Sequence, residues 1–227
     1  MPNLTPDPEL LRSLGKLTRG LSALFWGLPA ALIICAETAR VNFIEPFEIA
    51  PALVADGLLL YGLWQMSSFQ KQERPWRNAL DSAKLWGLVN LGLCPFLFWF
   101  NRAPTQNYFR DAMGALIISA VFFLFNLNVV LKRLGAMLPD ETLRHDINLF
   151  TILNRWMFVL WLLFLIAARL VPMRGIFSFK YGMELLFWLG RGELAILLFL
   201  GLSPLAITMA LIWKTKEIIF DSVFGSK

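Results

Sequence analysis

Apolar residues in this chain run in long stretches broken by short charged ones, and that alternation constrains the fold more than any other feature. A helix of a soluble protein carries a polar face at almost every turn; these stretches do not. Charged residues make up 16% of the chain, against roughly 25% in soluble domains. The reading is an all-α, polytopic integral membrane protein with about six transmembrane helices and short amphipathic helices at the interface. The spans are placed at residues 21–39, 49–69, 85–100, 112–131, 156–171 and 194–213. Residues 1–20 form an N-terminal cytoplasmic amphipathic segment, 21–213 the six-helix domain and 214–227 a cytoplasmic tail. Residues 21–36 follow Arg12, Lys16 and Arg19 as a signal peptide's core would, but Ile34 spoils cleavage after Ala36, so this helix is expected in the mature protein.

With the N-terminus inside, fourteen of the 21 Lys and Arg residues fall on inner segments, which places both ends in the cytoplasm. Trp86, Trp156 and Trp213 then lie at inner span ends and Trp99 and Trp188 at outer ones, the headgroup levels that indoles prefer. Three inner stretches have an amphipathic pattern: Leu10, Leu14, Leu17 and Leu21; Trp76, Ala79, Leu80 and Ala83; and Leu143, Ile147 and Phe150. Each is expected to lie in the interface plane, or to dock a soluble partner. The apolar patch 183–189 is too short to span and reads as an interfacial or re-entrant helix. Net charge is +5, and the basic residues belong against anionic headgroups; no basic domain exists to hold nucleic acid.

Chemistry-bearing residues are few. The single histidine, His145, argues against a bis-histidine haem or a histidine-based metal cage, and no metal site or cofactor is expected. Cys35 and Cys94 fall inside apolar stretches without ligand spacing and read as small buried residues. No P-loop, dinucleotide fingerprint or Ser–His or Cys–His pair is present, so no enzyme activity is expected.

One carboxylate stands deep in a span. An Asp at the bilayer centre costs about 2.5–3.5 kcal/mol to insert, which singles out Asp56. Glu37, Arg40, Arg191 and Glu193 fall at similar or slightly shallower depth, so the five could form one outer polar cluster. Asp56 then either exchanges an ion or proton, or makes a structural ion pair with Arg40 or Arg191; the ion pair is favoured. Asn90, Asn126 and Asn128 fall in the inner half and are expected to hydrogen-bond between helices. Gly27 with Ala31, Ala115 with Ser119, and Ala206 with Ala210 mark candidate packing seams, and Pro29, Pro51, Pro95 and Pro204 candidate kinks.

Residues 36–40 (Ala-Glu-Thr-Ala-Arg) followed by Pro46-Phe47-Glu48-Ile49 resemble an acidic loop of the quinone-chamber membrane subunit of respiratory complex I. The halves are spaced more widely here, and the resemblance implies no residue roles. The leading expectation is a non-catalytic subunit or scaffold of a larger membrane complex in a bacterial inner membrane. Its partners would be the lipid bilayer and other membrane subunits, or further copies of itself. The alternative is a small ion- or proton-coupled transporter or channel using Asp56.

Overall fold

The computed structural model describes residues 8–40, 49–70, 72–103, 105–137, 141–174 and 193–224. They form seven helices, with no strand among the described residues: α1 (Pro8–Arg40), α2 (Ala50–Met66), α3 (Arg74–Leu93), α4 (Pro95–Arg102), α5 (Asn107–Met137), α6 (Glu141–Arg174) and α7 (Glu193–Phe224). Among the described residues, three stretches are long and apolar enough to cross a membrane: Leu11–Ala39, Arg74–Arg102 and Asn107–Met137. At about 1.5 Å per residue, the 17 residues of α2 rise only about 25 Å, short of the hydrocarbon thickness of about 30 Å.

The amphipathic stretches are not separate helices. α1 passes unbroken across Gly20 and Leu21, α3 begins at Arg74, and α6 begins at Glu141. Their apolar faces are covered by protein: Leu17, Leu21, Trp76, Ala83 and Ile147 are almost wholly buried in one core with Leu127, Leu134 and Ile219. The expectation of helices lying on the interface gives way here to long helices continuing beyond the apolar zone. The pattern was that of a protein core, which an amphipathic sequence cannot distinguish from a lipid surface. The patch 183–189 lies outside the described residues.

The helices close a ring. α1 packs on α2, α2 on α3, α3 on α5, α5 on α6, α6 on α7, and α7 returns to α1. α5 also touches α7, so the ring is divided in two, and α4 sits against α1 and α5. Pro95 separates α3 from α4. Its missing N–H leaves the Leu91 carbonyl without its helical donor, and the chain continues through Cys94 N–H to Asn90 O at 2.8 Å and Leu97 N–H to Cys94 O at 3.1 Å. Pro29 and Pro204 stand inside α1 and α7. At the turn from α2 to α3 Gln70 has φ 44°, in the left-handed region. There the buried Trp76 indole donates to Phe69 O at 3.0 Å and meets the Phe69 ring edge-on at 6.3 Å.

α1 and α2 make the most extensive helix pair in the bundle. Gly20 and Gly62 face each other at their crossing: a Cβ on Gly20 would stand 2.6 Å from Gly62 O, and one on Gly62 2.9 Å from Gly20 O. Of the predicted seams, Gly27 and Ala31 are buried, with Gly27 against Leu59. Ala206 and Ala210 are exposed instead and form no seam.

The exterior inverts the pattern of a soluble protein. Val54 is 71% exposed, Trp26 68%, Trp64 65% and Leu85 60%, and large apolar side chains are exposed on every described helix. A soluble monomer rarely exposes apolar patches beyond a few hundred Å², so this surface matches lipid. Trp156, Trp213 and Trp99 are exposed as belt residues would be, whereas Trp86 stacks on Phe122 of α5 at 4.7 Å.

Candidate functional site

Within the larger part of the ring, α1, α2, α3, α5 and α7 line a partly open cavity of about 140 Å³. Its wall is mostly apolar, with Leu28, Leu59, Phe123 and Leu205 among the lining residues. Three polar side chains interrupt that wall: Cys35 from α1, Asp56 from α2 and Asn90 from α3. Asp56 and Asn90 are both nearly buried. By sequence they fall in outer and inner halves; the antiparallel run of α2 and α3 brings them to one level. The register follows from Gly27 against Leu59 on one side of α2 and Gly87 against Leu60 on the other.

Asn90 is held from α5. Ser119 Oγ donates to Asn90 Oδ1 at 2.5 Å, and the same hydroxyl lies 2.9 Å from Leu116 O. Replacing Ser119 by Ala should cost about 0.6 kcal/mol, and at most about 1.7, the range for hydrogen bonds between membrane helices. Thermal unfolding of the detergent-solubilised chain measures it; an unchanged midpoint would show that the bond contributes nothing.

The Asp56 carboxylate has the Cys94 thiol as its polar neighbour, and Cys94 in turn lies beside Cys35. Cys94 packs with Ala52, Leu97 and Leu116 in a second small core, with Cys35 against it. The only two cysteines of the chain therefore meet next to its deepest carboxylate, which their separation by 59 positions concealed. Among the described residues no group of three or more His, Cys, Asp and Glu side chains could hold a metal ion.

The expected ion pair of Asp56 with Arg40 or Arg191 falls on side chains that lie outside the described ones. Among the described side chains, ion pairs join Lys84 to Asp81 and Lys214 to Asp146. Arg191 lies outside the described residues, as do the side chains of Arg40 and Glu193, which close α1 and open α7. Glu37 is half-buried on α1.

A second polar group sits where α5, α6 and α7 meet. Asn128 Nδ2 donates to Thr208 Oγ1 at 2.9 Å, and Asn154 Nδ2 donates to the same oxygen at 3.2 Å. The Thr208 hydroxyl donates to Pro204 O at 2.7 Å. Neither Asn154 nor Thr208 stands out in the sequence: Asn154 precedes the expected fifth span, 156–171, by two residues, and Thr208 is a hydroxyl residue inside the sixth. Asn126, expected to reach another helix, instead donates to Phe122 O on its own helix at 2.8 Å. It stands two positions from Asn128, and a helix turns about 200° over two residues, so the two cannot share a face.

A scan of protein-family models, a search of curated proteins and a search of solved structures each found no match to this chain.

Proposed function

We propose that this chain is a small proton- or cation-coupled transporter or channel of the bacterial inner membrane, with six spans and both ends in the cytoplasm. Asp56 is its exchanging carboxylate. The carrying observation is a buried carboxylate facing a cavity, with no ion pair to it from a described side chain. A bare charge at that depth is costly; binding a proton or another cation would offset that cost, and the cavity leaves room for exchange.

Depth supports the reading. Phe25 meets Trp213 at 5.6 Å, so taking Trp213, beside Lys214 and Lys216, as the inner headgroup level puts that level at Phe25 on α1. Cys35 lies ten residues further along α1. At about 1.5 Å per residue that is about 15 Å, half of a hydrocarbon core of about 30 Å. Asp56 lines the cavity with Cys35 and so falls near the midplane.

The test is flux in liposomes reconstituted with the full chain. Wild-type protein should move protons, Na⁺ or K⁺ down an imposed gradient, and Asp56→Asn should abolish that flux while the protein stays folded. Wild-type flux equal to that of empty liposomes for all three ions would remove the proposal.

The second reading is a non-catalytic subunit or scaffold of a larger membrane complex. It draws on the outer stripe of α2. Val54, Leu58, Tyr61 and Trp64 are exposed at three- and four-residue steps, and Gln65 donates to the Tyr61 hydroxyl on that face at 2.7 Å. A polar pair within an apolar stripe suits a partner helix better than lipid. Purification in gentle detergent as a monodisperse monomer without a co-purifying protein would count against it.

A further inference from the structure

The Asn128–Asn154–Thr208 group has a shortage of hydrogens. Asn128 uses its two amide hydrogens on Leu124 O, at 2.8 Å, and Thr208 Oγ1. Asn154 directs its own to Thr208 Oγ1 and, at 3.5 Å, to Pro204 O. Thr208 spends its hydroxyl hydrogen on Pro204 O. All five hydrogens are committed, yet Asn128 Oδ1 and Asn154 Oδ1 are fully buried and no described residue donates to either. Turning either amide over sets its carbonyl oxygen against another oxygen, Leu124 O for Asn128 and Pro204 O for Asn154, and gives up the hydrogen bonds its nitrogen makes now. Leaving one such oxygen bare costs about 1–3 kcal/mol.

A third buried atom lacks a partner. Thr151 Oγ1 lies one turn before Asn154 on α6, so the two side chains share a face. Its hydroxyl has a hydrogen to give. The three atoms together call for two hydrogens and offer one. A water molecule donates two and accepts one, and buried waters make about three hydrogen bonds. A monovalent cation would satisfy the two amide oxygens but not the threonine hydrogen.

We propose that the α5–α6–α7 junction binds one structural water, held by Asn128 Oδ1, Asn154 Oδ1 and the Thr151 hydroxyl, as a hydrated station on the way from the basic end to Asp56. The placement along the bundle motivates the second part, which rests on the Asp56 reading. Toward the basic end, six residues along α7 from Thr208, Lys214 pairs with Asp146 of α6. In the other direction Leu124 precedes Asn128 by one turn and Leu205 precedes Thr208 by three residues, and both line the cavity that holds Asp56. A single apolar turn therefore divides the water from the cavity, and Leu124 and Leu205 form the barrier between them.

A high-resolution map of the full chain in a lipid nanodisc tests the site. One peak within hydrogen-bond distance of all three atoms is expected, unchanged when K⁺ is exchanged for Rb⁺ or Tl⁺. No peak, or one that gains scattering with the heavier ion, overturns the water. Asn154→Leu should lose the peak and keep the fold; a retained peak would likewise contradict the assignment. In the liposome assay, Asn154→Leu should slow flux where Asp56→Asn abolishes it, and unchanged flux would remove the station from the route. Absent wild-type flux would remove the Asp56 reading and the route with it, while the map still decides the water.

Discussion

Gly20→Leu and Gly62→Leu are each expected to abolish the folded bundle. Moving the nearby Met66 and Leu24 side chains aside would not relieve this crossing: a Cβ at Gly20 also meets the Gly62 carbonyl oxygen at 2.6 Å, and one at Gly62 meets the Gly20 carbonyl oxygen at 2.9 Å. Backbone must retreat from backbone, and the shift propagates along the most extensive helix pair. Overpacking in a relaxed core costs about 1–3 kcal/mol; a rigid carbonyl places these variants at or above that limit. Gly57→Ala is the control, because nothing lies within 4 Å of its Cβ position. Removing a mid-helix glycine there should stabilise by up to about 1 kcal/mol. Size-exclusion profiles and thermal midpoints in one detergent separate the two outcomes. A Gly20→Leu protein as stable as Gly57→Ala would mean that α1 and α2 do not cross in this way.

Trp76→Ala is expected to cost about 3–5 kcal/mol, the range for large aromatics lost from a core. The ring is completely buried and packs edge-on against Phe69. Its indole N–H also satisfies the Phe69 carbonyl, which closes the turn carrying the positive φ at Gln70. Trp76→Phe separates the contributions: it keeps most of the buried area, removes the donor, and should cost about 1–3 kcal/mol through the unpaired carbonyl. Thermal unfolding and protease sensitivity at residues 67–73 report both. Equal stability of Trp76→Ala and wild type would place Trp76 at a lipid surface.

That residue shows how far the sequence could be read. The face of Trp76, Ala79, Leu80 and Ala83 was legible, because a three- and four-residue step of apolar side chains must be covered by something. What covers it was not: headgroups and protein both bury apolar surface, and periodicity is blind to the difference. Asp56 was legible as an anomaly, since insertion cost alone singles it out. Its surroundings were not, because the meeting of Cys35, Asp56 and Asn90 depends on how α1, α2 and α3 slide past one another. Close approaches at Gly20, Gly27, Gly62 and Gly87 set that register, and only Gly27 stood out in a small-residue pattern. The amides divide similarly: that Asn128 would hydrogen-bond was predictable from its type, but its partner Thr208 lies 80 residues away in sequence, and Asn154, which shares that hydroxyl, lies 26 away.

The central claim is that lipid covers the apolar exterior on which Val54, Trp26, Trp64 and Leu85 stand. Sodium carbonate extraction of membranes containing the full chain tests it directly, since alkaline washing strips proteins held only at the surface. The account predicts that the protein stays in the membrane pellet and is released by detergent alone. A folded, monodisperse protein in the detergent-free supernatant would contradict it.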